Sequence, residues 1–407
     1  MKSKCIPSES GTSAPSALLP LIFVLLATGC ASQALAADIT AIPTPSYAST
    51  YANGINDLGQ VVGGVVAPSH FPCGPTDYVC GGPVGTPFIY SHGRVTYEGT
   101  GCSHDCLDAF TGINNSGEIA GTISSDYYHL GRRTVTMGYL FAGGRRTYMP
   151  VISSPGPAGI DYVNSGAAAV NSSGMVVGSS EYLESGDDSP RHAVFYSAGK
   201  TTDIGDLTGS GYTQKQSFGN AINDRGQIAG MSDTTSGAQH AFLYSNGKMS
   251  DLGSLGGNSA ALGINDAGEI IGDSFLADGS QHAFLKGKGG MVDLGTLGGT
   301  YSRAKGINAN GEIVGNSSLQ NTQQDAFLYL NGAMIDLNSL LPDNSGWQLE
   351  DATAINNNGV IVGDGTYNGQ ERAFILYTTP EPAPVALLGM GIVCLGLIRR
   401  RSNRHSS

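Results

Sequence analysis

One phrase returns seven times along this chain: an apolar position, Asn, two variable residues, Gly, then an apolar pair closed by another Gly. It reads GINDLGQVVG from Gly54, GINNSGEIAG from Gly112, AVNSSGMVVG from Ala169 and AINDRGQIAG from Ala221. The later copies are GINDAGEIIG from Gly263, GINANGEIVG from Gly306 and AINNNGVIVG from Ala354. Apolar residues flanking a polar centre predict two strands joined by a tight turn. The Asn side chain can bond its own backbone in an Asx-type turn, and a Gly three positions on accepts positive φ at no steric cost. The predicted turn pairs are Asn56 and Gly59, Asn114 and Gly117, Asn171 and Gly174, Asn223 and Gly226, Asn265 and Gly268, Asn308 and Gly311, and Asn356 and Gly359.

Each unit carries a second phrase that is short, apolar and aromatic, as in HAFLY ending at Tyr244, HAFLK ending at Lys286 and RAFIL ending at Leu376. Such runs predict buried strands. A Gly-containing turn follows in most units, for example Asn246-Gly247 and Asn331-Gly332, and then an arm ending in Asp-Leu-Gly or a variant, such as Asp251-Leu252-Gly253. One unit therefore holds four antiparallel strands, the content of a β-propeller blade. A parallel β-helix is the competing architecture, but its coils are shorter than this period and need no hairpins.

The two ends of the array decide between a ring and an open stack. The last unit stops at Tyr377 without its Asp-Leu-Gly strand, while Asp38-Ile39-Thr40-Ala41-Ile42-Pro43 stands as an orphan strand before the first unit. If the two pair, the array closes on itself and two open sheet edges disappear. The expected fold is all-β: a seven-bladed β-propeller of four-stranded antiparallel blades, its last blade completed by an N-terminal strand.

Composition agrees with short strands and tight turns, with 60 glycines in 407 residues and charged residues at only 13%. A formal net charge of −12 supplies no basic footprint for nucleic acid or anionic lipid, so neither is an expected partner.

The termini read as targeting segments. Lys2 and Lys4, the apolar run from Ala17 to Ala27 and the Ala34-Leu35-Ala36 site predict a signal peptide over residues 1–36. Ala27-Thr28-Gly29-Cys30 offers the alternative of a lipidated Cys30. The repeats then occupy residues 37–378, and residues 379–407 form a tail. In that tail Pro380, Glu381 and Pro382 precede an apolar stretch from Ala383 to Ile398, followed by Arg399, Arg400, Arg401 and Arg404. The stretch is short for a permanent span, and the arginines favour the cytoplasmic side. This order of elements resembles the PEP-CTERM sorting signal of Gram-negative bacteria. The resemblance implies processing by an exosortase after a transient membrane anchorage. Through its second phrase, best seen at His240-Ala241-Phe242 and His282-Ala283-Phe284, the chain also resembles the HAF family of extracellular repeat proteins. That resemblance implies export and repetition, and it brings no catalytic residues or cofactor.

Strand order places the turns after first and third strands on one face of a propeller and those after second and fourth strands on the other. The long insertions all fall on the second face, at 67–86, 100–110, 124–136, 153–166, 180–191 and 340–350. Long loops on a rigid scaffold are where binding usually resides. Four cysteines lie there: Cys73, Cys80, Cys102 and Cys106. In an oxidising envelope they predict disulfides, with local pairs preferred among three connectivities; a bond closing residues 73–80 would contribute about 2.5 kcal/mol. The rival is a metal site of Cys102, His104, Asp105 and Cys106, a weak spacing signal. His192, His240 and His282 recur at one repeat position, which favours strand-end hydrogen bonding over catalysis. The expected function is thus a non-enzymatic cell-surface or matrix protein whose propeller face binds glycan or protein, for instance exopolysaccharide. The alternative is a carbohydrate-active enzyme, a glycoside hydrolase or lyase, using acids such as Glu181, Glu184, Asp187, Asp188, Glu350 and Asp351 if they converge.

Overall fold

A computed structural model describes residues 35–45, 48–67, 84–98, 106–127, 133–152, 164–181, 190–209 and 215–380. Within them the repeats form seven four-stranded antiparallel sheets. Strand β1 is Leu35–Ala41, and blade one follows as β2 to β5, Ser49–Ile55, Val61–Ala67, Val84–Ser91 and Arg94–Tyr97. Blade two comprises β6 to β9, Cys106–Ile113, Ile119–Tyr127, Arg133–Ala142 and Arg145–Tyr148. Blade three comprises β10 to β13, Ser165–Val170, Val176–Glu181, Arg191–Ser197 and Lys200–Asp203. Blade four is β14 to β17, Ser217–Ile222, Ile228–Asp233, Gln239–Ser245 and Lys248–Gly253. Blade five is β18 to β21, Ser259–Ile264, Ile270–Phe275, Gln281–Lys286 and Met291–Asp293. Blade six is β22 to β25, Ser302–Ile307, Ile313–Ser318, Gln324–Leu330 and Ala333–Asp336, with a 3-10 turn at Leu337–Leu340. Blade seven has only three consecutive strands, β26 to β28, Trp347–Ile355, Val360–Tyr367 and Gln370–Pro380.

The fourth strand of blade seven is β1. It pairs antiparallel with β28 from Leu35 opposite Pro380 to Ala41 opposite Phe374, and Ile42 N–H extends the ladder to the Ala373 carbonyl at 3.0 Å. The first strands of successive blades are neighbours around the axis, and those of blades one and seven meet to close the circle. The structure is therefore a seven-bladed β-propeller with a composite last blade.

Its core is a set of wedges between blades. The aromatic phrase supplies the wedge centres: Phe88, Tyr139, Phe242, Phe284, Phe327 and Phe374 are fully buried, and Val194 holds the same place in blade three. At the closing wedge, Ile42, Ala52, Val61 and Phe88 pack against Val362, Ala373 and Ile375. Burying such side chains stabilises by about 1.5–3 kcal/mol each.

The Gly that ends each phrase has a packing cause. In every blade the first strand has a register shift, for instance between Ala261 and Gly263, that bends its backbone toward the second strand. A Cβ on Gly272 would then lie 1.9 Å from the Ala260 carbonyl oxygen, and one on Gly315 would lie 1.9 Å from that of Arg303. Only a residue without a side chain fits there.

Blades are also latched by buried hydroxyls at the head of the first strand. Ser259 Oγ accepts from Ala241 N–H at 2.8 Å and donates to the Gly253 carbonyl at 2.7 Å. Ser217 and Ser302 repeat this latch one blade before and after.

Candidate functional site

The seven repeat asparagines stand in the turns between first and second strands, all buried, at 3–6% exposure. The glycines three positions later have φ between 72° and 81°. Each turn is closed internally. At blade one, Asn56 Oδ1 accepts from Leu58 N–H at 3.1 Å and Gln60 N–H at 2.9 Å, while Gly59 N–H donates to the Asn56 carbonyl at 3.0 Å.

The carboxamide N–H groups leave the turn and join the blades. Asn56 Nδ2 donates to the Asn114 carbonyl, Asn114 to Asn171, Asn171 to Asn223 and Asn223 to Asn265, at 2.8–3.1 Å. Asn265 donates to Asn308 and Asn308 to Asn356, both at 3.1 Å, and Asn356 returns to the Asn56 carbonyl at 3.0 Å. The result is a closed circle of seven hydrogen bonds, all running in the same sense. In five blades the second Nδ2 hydrogen goes to the side chain four residues on, at Gln60, Glu118, Gln227, Glu269 and Glu312.

A second circle lies outside the first and is incomplete. The backbone N–H after the Asn donates to the side chain at that position in the next blade: Asp57 to Asn115, Ser172 to Asp224, Asp224 to Asp266, Ala309 to Asn357 and Asn357 to Asp57, at 2.8–2.9 Å. The two missing steps are those whose next blade offers Ser172 or Ala309, neither of which has a side-chain carbonyl oxygen. Together the turns enclose an axial cavity of about 250 Å³, walled by these polar residues and by Ile55, Ile113, Val170, Ile222, Ile264, Ile307 and Ile355. Its walls carry Asp57, Asp224 and Asp266 and no basic residue.

The recurrent histidines bind the Asp of the Asp-Leu-Gly arm in the same blade. Nδ1 of His192, His240 and His282 lies 3.2, 2.9 and 2.9 Å from a carboxylate oxygen of Asp203, Asp251 and Asp293. The same carboxylates accept the N–H of Gly205, Gly253 and Gly295 at 2.7–2.8 Å. Each pair ties a third strand to the bend after a fourth. Burial holds His192 below the usual imidazole range, against the pull of nearby Asp206, and burial likewise raises Asp203.

Two denser polar clusters interrupt the wedges. In blade two, buried Asp108 accepts from Tyr139 Oη and pairs with Arg146 at 2.8 Å, with the guanidinium 5.3 Å above the Tyr139 ring centre. Burial drives the Asp108 and Tyr139 pKa values up. Across blades five to seven, Arg303 stands 3.0 Å from Asp273, and Lys305 Nζ donates to Asp351. Cross-strand from Asp351 is Asp364, which burial and the Asp351 charge push up to about 7 against the pull of Lys305.

Of the acids singled out in the sequence, Glu181 lies in blade three, whereas Glu350 and Asp351 are neighbours in blade seven. Glu181 is held by Arg191 at 2.7 Å and Asn164 at 2.8 Å, and Glu350 accepts from Thr366 at 2.8 Å. Glu184, Asp187 and Asp188 lie outside the described residues, as do Cys73, Cys80, Cys102, His104 and Asp105. Cys106 opens β6. Pro380 ends β28, while Glu381, Pro382, Arg399, Arg400 and Arg401 fall outside the described residues, as do residues 1–34. Of the polar seam at Arg303, Lys305, Asp351 and Asp364, the sequence reading singles out Asp351 alone, as a candidate acid; charges at strand positions that alternate with buried ones were the available signal for the rest.

Comparison with known proteins gives a partial match. A family described as "Protein of unknown function (DUF3466)" matches residues 108–287. No curated protein matches the chain. Among solved structures, the Pyrococcus horikoshii acylaminoacyl peptidase is similar at TM-score 0.41 and 8% identity, over 79% of this chain and 58% of that one. This chain thus spans well under two thirds of the peptidase. The Trypanosoma rangeli sialidase is similar at TM-score 0.38 and 12% identity, over 70% of this chain and 56% of that one. The Aleuria aurantia lectin in complex with α-methyl-L-fucoside is similar at 0.37 and 10%, over 74% and 99%. These likenesses concern blade architecture alone.

Proposed function

We propose that this protein is an exported, non-enzymatic binding scaffold of the cell surface or extracellular matrix, and that it meets glycan or protein partners through the face bearing the long insertions. The observation that supports this reading is the unequal use of polar groups on the two faces. On the Asn-x-x-Gly face the turn amides and carboxamides are spent on each other in a closed hydrogen-bonded circle. The strand ends that flank residues 68–83, 128–132 and 182–190, between second and third strands of blades one to three, lie on the opposite face. The ends of the fourth strands of blades one to three, which precede residues 98–105, 149–164 and 204–216, lie on the same face. Loops there can vary without disturbing the frame. The Pro380-Glu381-Pro382 tail supports export and exosortase sorting by its resemblance alone.

The experiment is a glycan array and an envelope-extract pull-down with the mature protein, beside a variant whose residues 68–83 are replaced by a two-residue Asn-Gly turn. Binding lost in the variant, with unfolding unchanged, is the expected result. Binding that survives removal of all three long connections, or release of saccharide product, would count against the proposal. Mass spectrometry of protein from its native host, expected to lack Arg399 to Arg404, tests the sorting.

A further inference from the structure

The seams between blades five and six and between blades six and seven are built on one plan but carry opposite charge logic. In each, the fourth residue of the second strand is more than nine-tenths buried: Asp273 in β19 at 6% exposure and Asn316 in β23 at 7%. One side-chain atom is held by a Gln at or near the head of the same blade's third strand. Gln281 Nε2 donates to Asp273 Oδ2 at 2.6 Å, and Asn316 Nδ2 donates to Gln324 Oε1 at 2.9 Å. The other atom, Oδ1, is buried and accepts no hydrogen bond at either seam. At the first seam it lies 3.0 Å from Arg303 Nε, an ion pair without hydrogen-bond geometry in which the charges cancel.

Register decides what stands opposite Asn316. Arg303 pairs with Asn316 within blade six, and Asp351 pairs with Asp364 within blade seven, so Asp351 takes in blade seven the place of Arg303. An acceptor therefore replaces the guanidinium. Asn316 Oδ1 and Asp351 Oδ1 are both buried with no hydrogen-bond partner. Lys305 occupies Asp351 Oδ2. Asp364, alongside, receives no side-chain hydrogen bond among the described residues, and Glu350 and Glu371 add negative charge to its surroundings. Buried acceptors without donors are costly, and oxygen atoms of two carboxylates and a carboxamide are the donor set of a hard cation.

We propose that the seam between blades six and seven binds a divalent cation, with Ca²⁺ the best fit, through Asp351 Oδ1, the Asp364 carboxylate and Asn316 Oδ1, with water completing the shell. Ca²⁺ accepts carboxamide oxygen and irregular geometry, whereas Mg²⁺ demands a near-ideal octahedron. The set differs from sites of three acidic, His or Cys side chains, none of which occurs among the described residues. The ion supplies the positive charge that Arg303 supplies one seam earlier.

The test uses the whole propeller-bearing protein after EDTA treatment at pH 8, titrated with CaCl2 or MgCl2 by calorimetry and followed in parallel by thermal unfolding. Millimolar Ca²⁺ is expected to raise Tm by about 2–4 °C, and Mg²⁺ by less. Asp364→Asn and Asn316→Ala should each weaken Ca²⁺ binding about tenfold or more, whereas Asp343→Asn on an exposed loop should leave it unchanged. Should Asp364→Asn fold poorly, Asn316→Ala carries the test, and Asn316→Asp should bind Ca²⁺ more tightly. Absence of a Ca²⁺ response in the parent protein would overturn the proposal, leaving the Asn316 amide turned over to donate to Asp351. An equal response in every variant would overturn it as well, as diffuse attraction to an acidic protein.

Discussion

At the scale of single residues, the repeat asparagine does two jobs with one side chain. Its oxygen closes a turn within a blade, and its amide holds the next blade. Asn265→Ala removes the interblade bond to the Asn308 carbonyl, which keeps only the Gly311 N–H, and leaves the Glu269 N–H without its acceptor; it should lower stability by about 1–3 kcal/mol in urea unfolding. Gap filling should act in the other direction. Ala309→Asn offers the Asp266 N–H the acceptor that Asn115 and Asn357 provide elsewhere, and should raise stability by about 0.5–1 kcal/mol by the same measurement. The sequence made the intrablade half of this legible, because an Asx turn and a Gly at positive φ are local. The interblade half was not legible, since the bond from Asn56 reaches a carbonyl 58 positions away and depends on blade spacing. For the same reason His240 and Asp251 were read separately, although they belong to one contact.

Among elements, β1 carries the largest consequence for its length. Its pairing with β28 was readable from the orphan segment near Ile39 and the truncated last unit, since each is the complement of the other. The strand phrases were equally readable, because hydrophobic period and turn chemistry agree at every blade. The register shifts that demand Gly272 and Gly315 were not readable, as they arise from contact between strands and not within one. Ile42, 1% exposed just past β1, fills the closing wedge; Ile42→Ala should cost about 2–4 kcal/mol in denaturant unfolding. Deleting residues 35–43 should do more, baring the edge of β28 and raising the mass seen by light scattering above that of the parent protein.

For the molecule as a whole, pH should act through its buried carboxyls. Burial raises Asp108, Asp203, Asp273 and Asp325 above their ordinary values, and Asp364 reaches about 7 beside Asp351, Lys305, Glu350 and Glu371. A carboxyl whose folded pKa exceeds its unfolded value of about 3.9 takes up a proton on folding. Its contribution is full below that value and fades as pH climbs through the folded pKa. His192, held low by burial, acts oppositely and penalises the fold as pH drops below about 6.5. In EDTA, the urea midpoint should therefore fall between pH 5 and pH 8, and Asp364→Asn should shrink that fall. The overall ring was legible because it is repetitive; the sector around Asp364 was not, because it is where repetition breaks.

The pairing of Leu35 with Pro380 puts the start and the finish of the ring side by side on adjacent strands. A short linker could join these ends, and a new opening could be cut at another hairpin, for example between Asn331 and Gly332. Such a rearranged chain would keep every blade while moving the seam, so the choice of starting point is a matter of chain order and not of architecture.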